Sequence, residues 1–395
     1  MVRRIDVTEA TIGTWGAIAS LMRQQMRRGD FEDTVVTITW SSDPASLGIG
    51  NYEDADQLDA DLVRENGLRC GRVYHSSGGG SGIFSEEIPL VLVYYQHEPH
   101  DKETNSLLKH FDELNGEANA AALQRIGLEG EYRSIGDAEV VLDGNRYKVM
   151  ASAATNFPQS EYWAVVSSAI WGAPPQENAQ LMDEAIDMPR EKFEDKDTDS
   201  LTSRMRPISM ILEDLEKDVT QAELVDALVE ENVSRLIGPD EEIVTETWSD
   251  EESRYLEELV PFFESDAWVN RISTSQMCRQ VPAEYDLGIA AYKSRKLIKA
   301  SVVFDDDGRI HDVQFSGDFY VRPALPITST WVLDELASNV RGLDPADEDA
   351  LEGAIAEVFD RPDVEFPRID TVDFVQPIVR AANNTTTVGE YLSEQ

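Results

Sequence analysis

Lys148 is the residue best placed for chemistry, because it lies on a predicted β-hairpin and small residues follow it. Residues 138–142 form an apolar, β-prone run, and Asp143-Gly144 is a strong turn signal because glycine accepts a positive φ at no steric cost. Residues 147–150 then form the return strand. A lysine ammonium on a strand is a fixed positive charge, and small side chains leave room for a ligand beside the backbone at Ala151, Ser152 and Ala153. A surface hairpin with a solvated lysine is the alternative interpretation of this stretch.

The charge of the chain restricts its partners and its environment. The chain has 34 Lys and Arg against 76 Asp and Glu, a formal net charge of −42, and only nine of the basic residues are lysines. The acidic residues are spread along the whole length, which is typical of adaptation to a high-salt cytoplasm, where salt screens the self-repulsion. An internal lysine in such a chain is expected to have a function. The same charge argues against nucleic acids and anionic membranes as partners, since both are polyanions.

The length of 395 residues predicts two domains, and a hydrophobic content of 41% is enough for a normal core. The two cysteines, Cys70 and Cys278, are far apart, so we expect no disulfide framework and a reducing compartment. The N-terminus lacks the apolar segment of a signal peptide, and no run of 18 apolar residues occurs. We therefore expect a soluble, cytoplasmic protein.

Hydrophobic periodicity predicts an α+β protein with a change of pattern near residues 273–280. The part before this linker alternates helices and strands, with strands at 34–39, 88–95 and 164–170. The part after it begins with antiparallel strands, at 285–292, 297–304 and 310–315. The predicted domains are a large domain at 1–272, a small α+β domain at 281–360, and a polar, only partly ordered tail at 361–395.

A glycine-rich segment, Ser76-Ser77-Gly78-Gly79-Gly80-Ser81-Gly82, follows the predicted strand at residues 68–74. Glycines in such a loop allow main-chain N–H groups to face a ligand directly. The spacing matches neither a P-loop nor a dinucleotide-binding fingerprint. A flexible loop without a ligand is the alternative interpretation.

Several motifs, in the same order along the chain, resemble those of the lipoate–protein ligase A family. The matching residues are Trp40 with Ser46-Leu47-Gly48, Arg72 with Ser77-Gly78-Gly79-Gly80, Asp137 with Lys148-Val149-Met150-Ala151-Ser152-Ala153, Pro189 with Lys192, Lys196 and Arg204, and Gly317-Asp318-Phe319-Tyr320. The resemblance covers nearly all of the chain up to about residue 360.

The resemblance implies an α+β fold of the biotin/lipoate ligase type, with a large mixed-sheet catalytic domain and a small α+β accessory domain. It also implies an ATP-dependent enzyme that forms lipoyl-adenylate and transfers the lipoyl group to a lysine of a carrier domain, of the 2-oxoacid dehydrogenase E2 or glycine cleavage H-protein type. Lys148 would be the catalytic charge stabiliser, and Asp137 would hold Mg²⁺ or orient the nucleotide. Contacts to the acyl group or adenylate would come from Arg72, Ser77, Gly78, Gly79, Gly80, Asp137, Ser152 and Ala153.

The chain departs from the family pattern around the glycine loop. Tyr74 and His75 occupy the places of two adjacent arginines, Phe84 replaces a frequent histidine, and Gly136 replaces an asparagine. Three alternatives therefore remain: octanoyl or lipoyl transfer without ATP, biotin attachment, and a non-catalytic paralogue that binds the lipoyl carrier domain or the free acid. Cys70 is a candidate nucleophile for the first, although its apolar strand favours a buried thiol. The Gly-Arg-Gly-Arg loop expected for the second is absent.

The acidic surface predicts that the free energy of unfolding rises with KCl into the molar range, because salt screens the repulsion between carboxylates. Thermal unfolding measured from low to molar KCl tests this expectation. A melting temperature that stays constant or falls over that range contradicts the high-salt interpretation.

Overall fold

The computed structural model describes residues 1–29, 34–41, 45–73, 80–96, 104–133, 137–156, 162–172, 180–181, 183–187, 205–321 and 331–395. Within these residues the strands form sheets of eight, four and three strands. The eight-stranded sheet uses strands that end by Glu246, and the four-stranded sheet begins at Asp286. The change of pattern predicted near residues 273–280 lies between these two sheets.

The strands are, in chain order, β1 (Val2–Ala10), β2 (Thr34–Ser41), β3 (Ser46–Ile49), β4 (Arg69–Arg72), β5 (Gly82–Phe84), β6 (Leu90–Gln96), β7 (Gly130–Arg133), β8 (Asp137–Leu142), β9 (Asn145–Asn156), β10 (Tyr162–Ala169), β11 (Ile243–Glu246), β12 (Asp286–Lys293), β13 (Leu297–Phe304), β14 (Ile310–Asp318) and β15 (Thr385–Thr387).

The helices are α1 (Ile12–Arg28), α2 (Ala60–Glu65), α3 (Thr104–Arg125), α4 (Ile208–Asp214), α5 (Gln221–Leu236), α6 (Asp250–Phe263), α7 (Asp266–Val269), α8 (Thr274–Cys278), α9 (Val332–Val340), α10 (Glu348–Phe359), α11 (Thr371–Ala381) and α12 (Val388–Glu394). In the described part of the chain, none of them combines the length and the apolar character needed to cross a bilayer.

The large sheet is mixed and has the order β11-β1-β2-β6-β10-β9-β8-β7. Strand β1 is parallel to both of its neighbours, and the other neighbouring pairs are antiparallel. Side chains alternate between two cores along β6: Leu90, Leu92 and Tyr94 lie in the core that contains α1, whereas Val91 and Val93 lie in the core that contains α3 and α5. The predicted α+β fold with a large mixed sheet is confirmed.

The C-terminal residues 361–395 are ordered, and the prediction of a partly ordered polar tail is wrong. This segment forms α11, β15 and α12, and β15 pairs with β12 to complete the four-stranded sheet β14-β13-β12-β15. Phe374 is completely buried and makes edge-to-face contacts with a cluster of aromatic rings, from Phe315, Phe319, Phe359 and Phe366. A few apolar anchors in a largely polar segment are thus enough to fix it, because they enter a core built by earlier residues.

A segment after β3, residues 50–57, links the two larger sheets, and we call it the hub segment. Arg72 lies outside this segment in sequence, but its side chain is at the centre of the segment's contacts and is 1% exposed. The guanidinium donates to five main-chain carbonyls, at Gly50, Asn51, Glu53, Val269 and Ile272. Burial lowers the pKa of Arg72 to about 10, against the opposing effect of the nearby carboxylates, so the group remains charged at neutral pH.

This arrangement leaves no part of the Arg72 guanidinium exposed for the predicted contact with the acyl group or adenylate. Its three nitrogens all donate to main-chain oxygens, and no face of the guanidinium reaches solvent. The motif that resembles a ligand-binding arginine has a structural role in this chain, because the loop after β3 and the segment after α7 both direct carbonyl groups at it.

Acidic side chains of the hub segment hold the linker and the second sheet. Asp54 is completely buried and accepts from the main-chain N–H of Thr274 at 3.1 Å, and the ammonium of Lys299 on β13 lies 3.4 Å away. Asp56 accepts from the hydroxyl of Ser273 at 2.8 Å and from that of Tyr391 on α12 at 3.0 Å. One short segment therefore bonds to the linker, to the second sheet and to the last helix.

An aromatic contact completes this link. Tyr52 is buried and stacks on Phe319, with ring centroids 5.3 Å apart, and on Trp331, with centroids 4.9 Å apart. Its carbonyl accepts from the main-chain N–H of Gly317 at 2.9 Å. The end of β14 is thus fixed against the loop that follows β3.

Replacing Arg72 by glutamine should lower the free energy of unfolding by about 3–5 kcal/mol, because it leaves several buried carbonyls without a donor. Arg69→Gln is the matched control, since Arg69 lies on the same strand but is exposed. That variant should change the free energy by less than about 0.5 kcal/mol. Denaturant titration measures both, and equal effects of the two variants contradict the structural role of Arg72.

Candidate active site

Lys148 and Asp137 form an ion pair on the hairpin of β8 and β9. The Lys148 Nζ lies 2.7 Å from Asp137 Oδ1, and the two side chains are 29% and 36% exposed. The register shifts between Ala138 and Glu139, so that Lys148 pairs with Glu139 while Asp137 pairs with Ala151. This bulge brings the ammonium diagonally to the carboxylate, and two of the predicted site residues therefore meet.

The main chain of Lys148 is held from its other side by the segment before α4. Met205 forms a parallel bridge with Lys148, and the N–H of Arg206 donates to the Lys148 carbonyl at 3.4 Å. The guanidinium of Arg206 lies over the ring of Tyr147, 5.3 Å from its centroid. The other residues of the predicted stretch, Pro189, Lys192, Lys196 and Arg204, lie outside the described residues.

Small side chains surround Asp137 on its own face of the sheet. Ala151 pairs with Asp137 on one side and with Ser168 of β10 on the other. Ala153 pairs with Val166 and lies against the core that contains α1. Cross-strand partners share a face of the sheet, so the row from Asp137 to Ser168 presents small groups beside the ion pair.

Ser152, which was predicted to contact the substrate, lies on the opposite face of the sheet from Asp137. It pairs with Ser167, whose hydroxyl accepts from Asn115 and donates to Asn119, both on α3. Successive residues of a strand point to opposite faces, so Ser152 faces α3 while its two neighbours face the ion pair. An alternation count along β9, anchored on Asp137, would have given this assignment.

The end of the glycine loop contacts the second sheet. A methyl group added to Gly80 would lie 3.5 Å from the carboxyl group of Asp318, at the end of β14. The hydroxyl of the next residue, Ser81, donates to Glu53 of the hub segment. Ser77, Gly78 and Gly79 lie outside the described residues, so their role in binding stays a prediction.

Tyr320, which follows the end of β14, has a phenol that stays protonated. Burial raises the pKa of Tyr320, and the carboxylates of Asp318, Asp112 and Asp137 raise it further, against the opposing effect of Arg368. Its hydroxyl therefore stays neutral at physiological pH. The sequence motif Gly317-Asp318-Phe319-Tyr320 was expected only as a feature of the accessory domain; in the structure its Asp318 lies against Gly80, at the end of the glycine loop.

A second contact between the two parts lies beside β9. Arg368, before α11, places its guanidinium 3.5 Å from Asp112 on α3. The same carboxylate accepts from the main-chain N–H of Ala154 at 3.1 Å. The end of β9 is thus connected to the C-terminal segment through one carboxylate.

The thiol of Cys70 lacks the environment of a nucleophile. It is half-buried and its Sγ lies 3.7 Å from the carbonyl oxygen of Ala60. Burial raises the pKa of Cys70, whereas a nucleophilic cysteine needs a lowered pKa.

Among the predicted site residues, Asp137 is the one whose carboxylate could bind a magnesium ion. Within the described residues, no group of three or more His, Cys, Asp or Glu side chains is arranged to hold a metal ion. Magnesium usually binds one or two carboxylates together with substrate phosphates, so a single aspartate beside a phosphate site fits this ion, and a permanent all-protein site does not.

No protein-family model and no curated protein sequence matches the chain. Solved structures do match. A bi-partite lipoate protein ligase from Thermoplasma acidophilum is 18% identical, covers 68% of this chain and 96% of its own, and has a TM-score of 0.52. Lipoate-protein ligase A bound with ATP is 15% identical, covers 69% of this chain and 100% of its own, and also has a TM-score of 0.52.

LipL1 of P. falciparum, solved with lipoate, matches over a greater length. It is 12% identical, covers 96% of this chain and 98% of its own, and has a TM-score of 0.61. The likeness therefore extends over both larger sheets, while the identities are too low to carry over individual residues. The chain has the fold of the lipoate–protein ligases.

Proposed function

We propose that this chain is a cytoplasmic, ATP-dependent lipoate–protein ligase. The observation that carries the proposal is the Lys148–Asp137 ion pair, set beside small residues within a fold of this type. Neighbours with that fold were solved with lipoate or with ATP, which supports the same two substrates here.

In the first step a carboxylate oxygen of lipoate attacks the α-phosphorus of ATP. A new P–O bond forms, the bond to the β-phosphate oxygen breaks, and lipoyl-adenylate and pyrophosphate result. Negative charge increases on the phosphoryl oxygens in the transition state. An ammonium fixed at that point stabilises it, and one such group is worth about 3–4 kcal/mol by analogy with a lost oxyanion donor. We assign this role to Lys148.

Asp137 keeps the ammonium of Lys148 in place before the substrates bind, because the ion pair fixes the otherwise flexible side chain. When Mg²⁺ accompanies the nucleotide, the same carboxylate would hold it together with the phosphates, and the ion would neutralise charge on the leaving pyrophosphate. A carboxylate that lies between a lysine and a metal–nucleotide complex can contact both, so Asp137 can position the ammonium and hold the ion.

In the second step the amine of a carrier lysine attacks the acyl carbon of the adenylate. An amide bond forms, AMP leaves with the bonding electron pair, and the amine loses a proton. The T. acidophilum ligase was described with its E2 lipoyl domain, which supports a carrier of the E2 or H-protein type as the partner.

The acyl chain needs a surface without bulky side chains. Ala151 and Ala153 provide one along the face that carries Asp137, and we propose that Gly80, at the end of the glycine loop, extends it. Acyl transfer without ATP is supported less well, because its candidate nucleophile Cys70 has a raised pKa. A non-catalytic paralogue is the second candidate function, because the guanidinium of Arg72, the arginine of the loop motif, already donates to main-chain carbonyls.

Lys148→Ala should fold normally and lose lipoate-dependent ATP–pyrophosphate exchange by about 10²-fold or more, because the transition-state charge loses its fixed partner. Arg146→Ala is the matched control: Arg146 lies on the same strand, is 41% exposed, and pairs with Glu131. Exchange at the wild-type rate in the Lys148 variant removes this residue from the mechanism. Absence of exchange in the wild-type protein, with lipoate still bound, favours the paralogue.

Gly80→Ala should leave the free energy of unfolding within about 0.5 kcal/mol, because the added methyl group would make only ordinary contact with Asp318. It should weaken lipoate binding about ten-fold, or about 1.4 kcal/mol, because the methyl group occupies space beside the acyl chain. Calorimetric titration of lipoate and thermal unfolding on the same sample measure the two effects. Unchanged affinity in a folded variant places the acyl chain elsewhere.

A further inference from the structure

We infer that Arg133, on the edge strand β7 of the large sheet, binds the pyrophosphate group that leaves in the first step. The inference rests on the proposed function and adds to it a residue that no motif of the sequence indicated. It also gives the direction in which the two substrates lie across the sheet.

A single row of side chains crosses four strands of the large sheet at the ion pair. Arg133 on β7 pairs with Asp137 on β8. Along the same row, Asp137 pairs with Ala151 on β9, and Ala151 pairs with Ser168 on β10. Cross-strand partners share a face, and neighbouring strands lie about 5 Å apart. The ion pair of Asp137 with Lys148 therefore has a guanidinium on one side and small side chains on the other.

A buried carboxylate fixes the guanidinium of Arg133. The Arg133 Nε donates to Glu139 Oε2 at 3.0 Å, and the Glu139 side chain is only 2% exposed. The Arg133 side chain is itself 53% exposed, and its two terminal nitrogens have no hydrogen-bond partner within the described residues. A guanidinium held through Nε is pre-organised, and its terminal nitrogens can contact a phosphate group bidentately.

The direction of the row matches the geometry of the first step. Transfer at phosphorus places the attacking and the leaving oxygen roughly in line, on opposite sides of the phosphorus atom. The proposed function places Lys148 at the α-phosphate and the acyl chain beside Ala151. The leaving oxygen then lies on the other side, toward Arg133. When its bond to the α-phosphorus breaks, the electron pair stays on the pyrophosphate, and a fixed guanidinium stabilises that charge.

Equilibrium binding of pyrophosphate, ATP, AMP and lipoate tests this inference. Arg133→Gln should weaken the binding of pyrophosphate and of ATP about ten-fold. The affinities for AMP and lipoate should stay unchanged, because neither ligand has the two terminal phosphates. Arg133→Lys should restore only part of the affinity, since a lysine keeps the charge but lacks the planar fork. A loss for AMP as large as that for ATP contradicts the assignment to pyrophosphate.

Arg125→Gln is the matched control for the loss of one positive charge. Arg125 is 46% exposed and pairs with Glu230, but it lies on α3, which packs on the opposite face of the sheet from Asp137. This variant should keep all four affinities, and thermal unfolding of each variant shows whether the fold is retained. Equal weakening of pyrophosphate binding by both variants means that the ligand responds only to net charge, and overturns the inference.

Lipoate-dependent ATP–pyrophosphate exchange separates this inference from the proposed function. If the wild type catalyses exchange and Arg133→Gln keeps the wild-type KM for pyrophosphate, the inference fails and the ligase function stands. If pyrophosphate binding depends on Arg133 but the wild type catalyses no exchange, the ligase function fails and the phosphate site stands. If the wild type binds neither ATP nor pyrophosphate, both are overturned.

Discussion

The burial of one guanidinium group, that of Arg72, determines how the two larger sheets meet. A fully buried charge is stable only when hydrogen bonds replace the lost water, and Arg72 finds five carbonyls that come from both sides of the junction. The hub segment 50–57 must therefore adopt one conformation. That conformation directs Asp54 to Lys299 and Tyr52 to Phe319, and it fixes the end of β14 beside the glycine loop.

Acidic residues are unevenly distributed along the chain. Several stretches of the chain contain no Asp or Glu; among them are 66–85, which contains the glycine loop, and 144–160, which contains Lys148. A chain with a net charge of −42 would repel an anionic substrate if its carboxylates were spread evenly around the site. Lys148 and the small residues after it lie on a strand segment without carboxylates, and Asp137 faces this segment from the neighbouring strand.

Local features of the fold and the site were predictable from sequence, and distant ones were not. The β8–β9 hairpin and the Lys148–Asp137 proximity follow from a turn signal and a short loop. The role of Arg72 depends on carbonyls some 200 positions away in sequence, which no local pattern encodes. The face on which Ser152 lies follows from strand alternation along β9, counted from Ala151, the partner of Asp137. The tail was misjudged since its helix is stabilised by rings from other elements.

The proposed site draws on residues of two sheets, and its geometry therefore depends on the junction between them. Lys148 and Asp137 belong to the first sheet, whereas Asp318, which lies against Gly80, belongs to the second sheet. The buried ion pair of Asp54 and Lys299 is shielded from salt, unlike the exposed carboxylates at the surface. High salt can thus relieve surface repulsion while the contacts that align the two halves of the site keep their strength. A resemblance in one motif carries over the fold but not the function of each residue: here the arginine of the loop motif stabilises the junction between the two larger sheets.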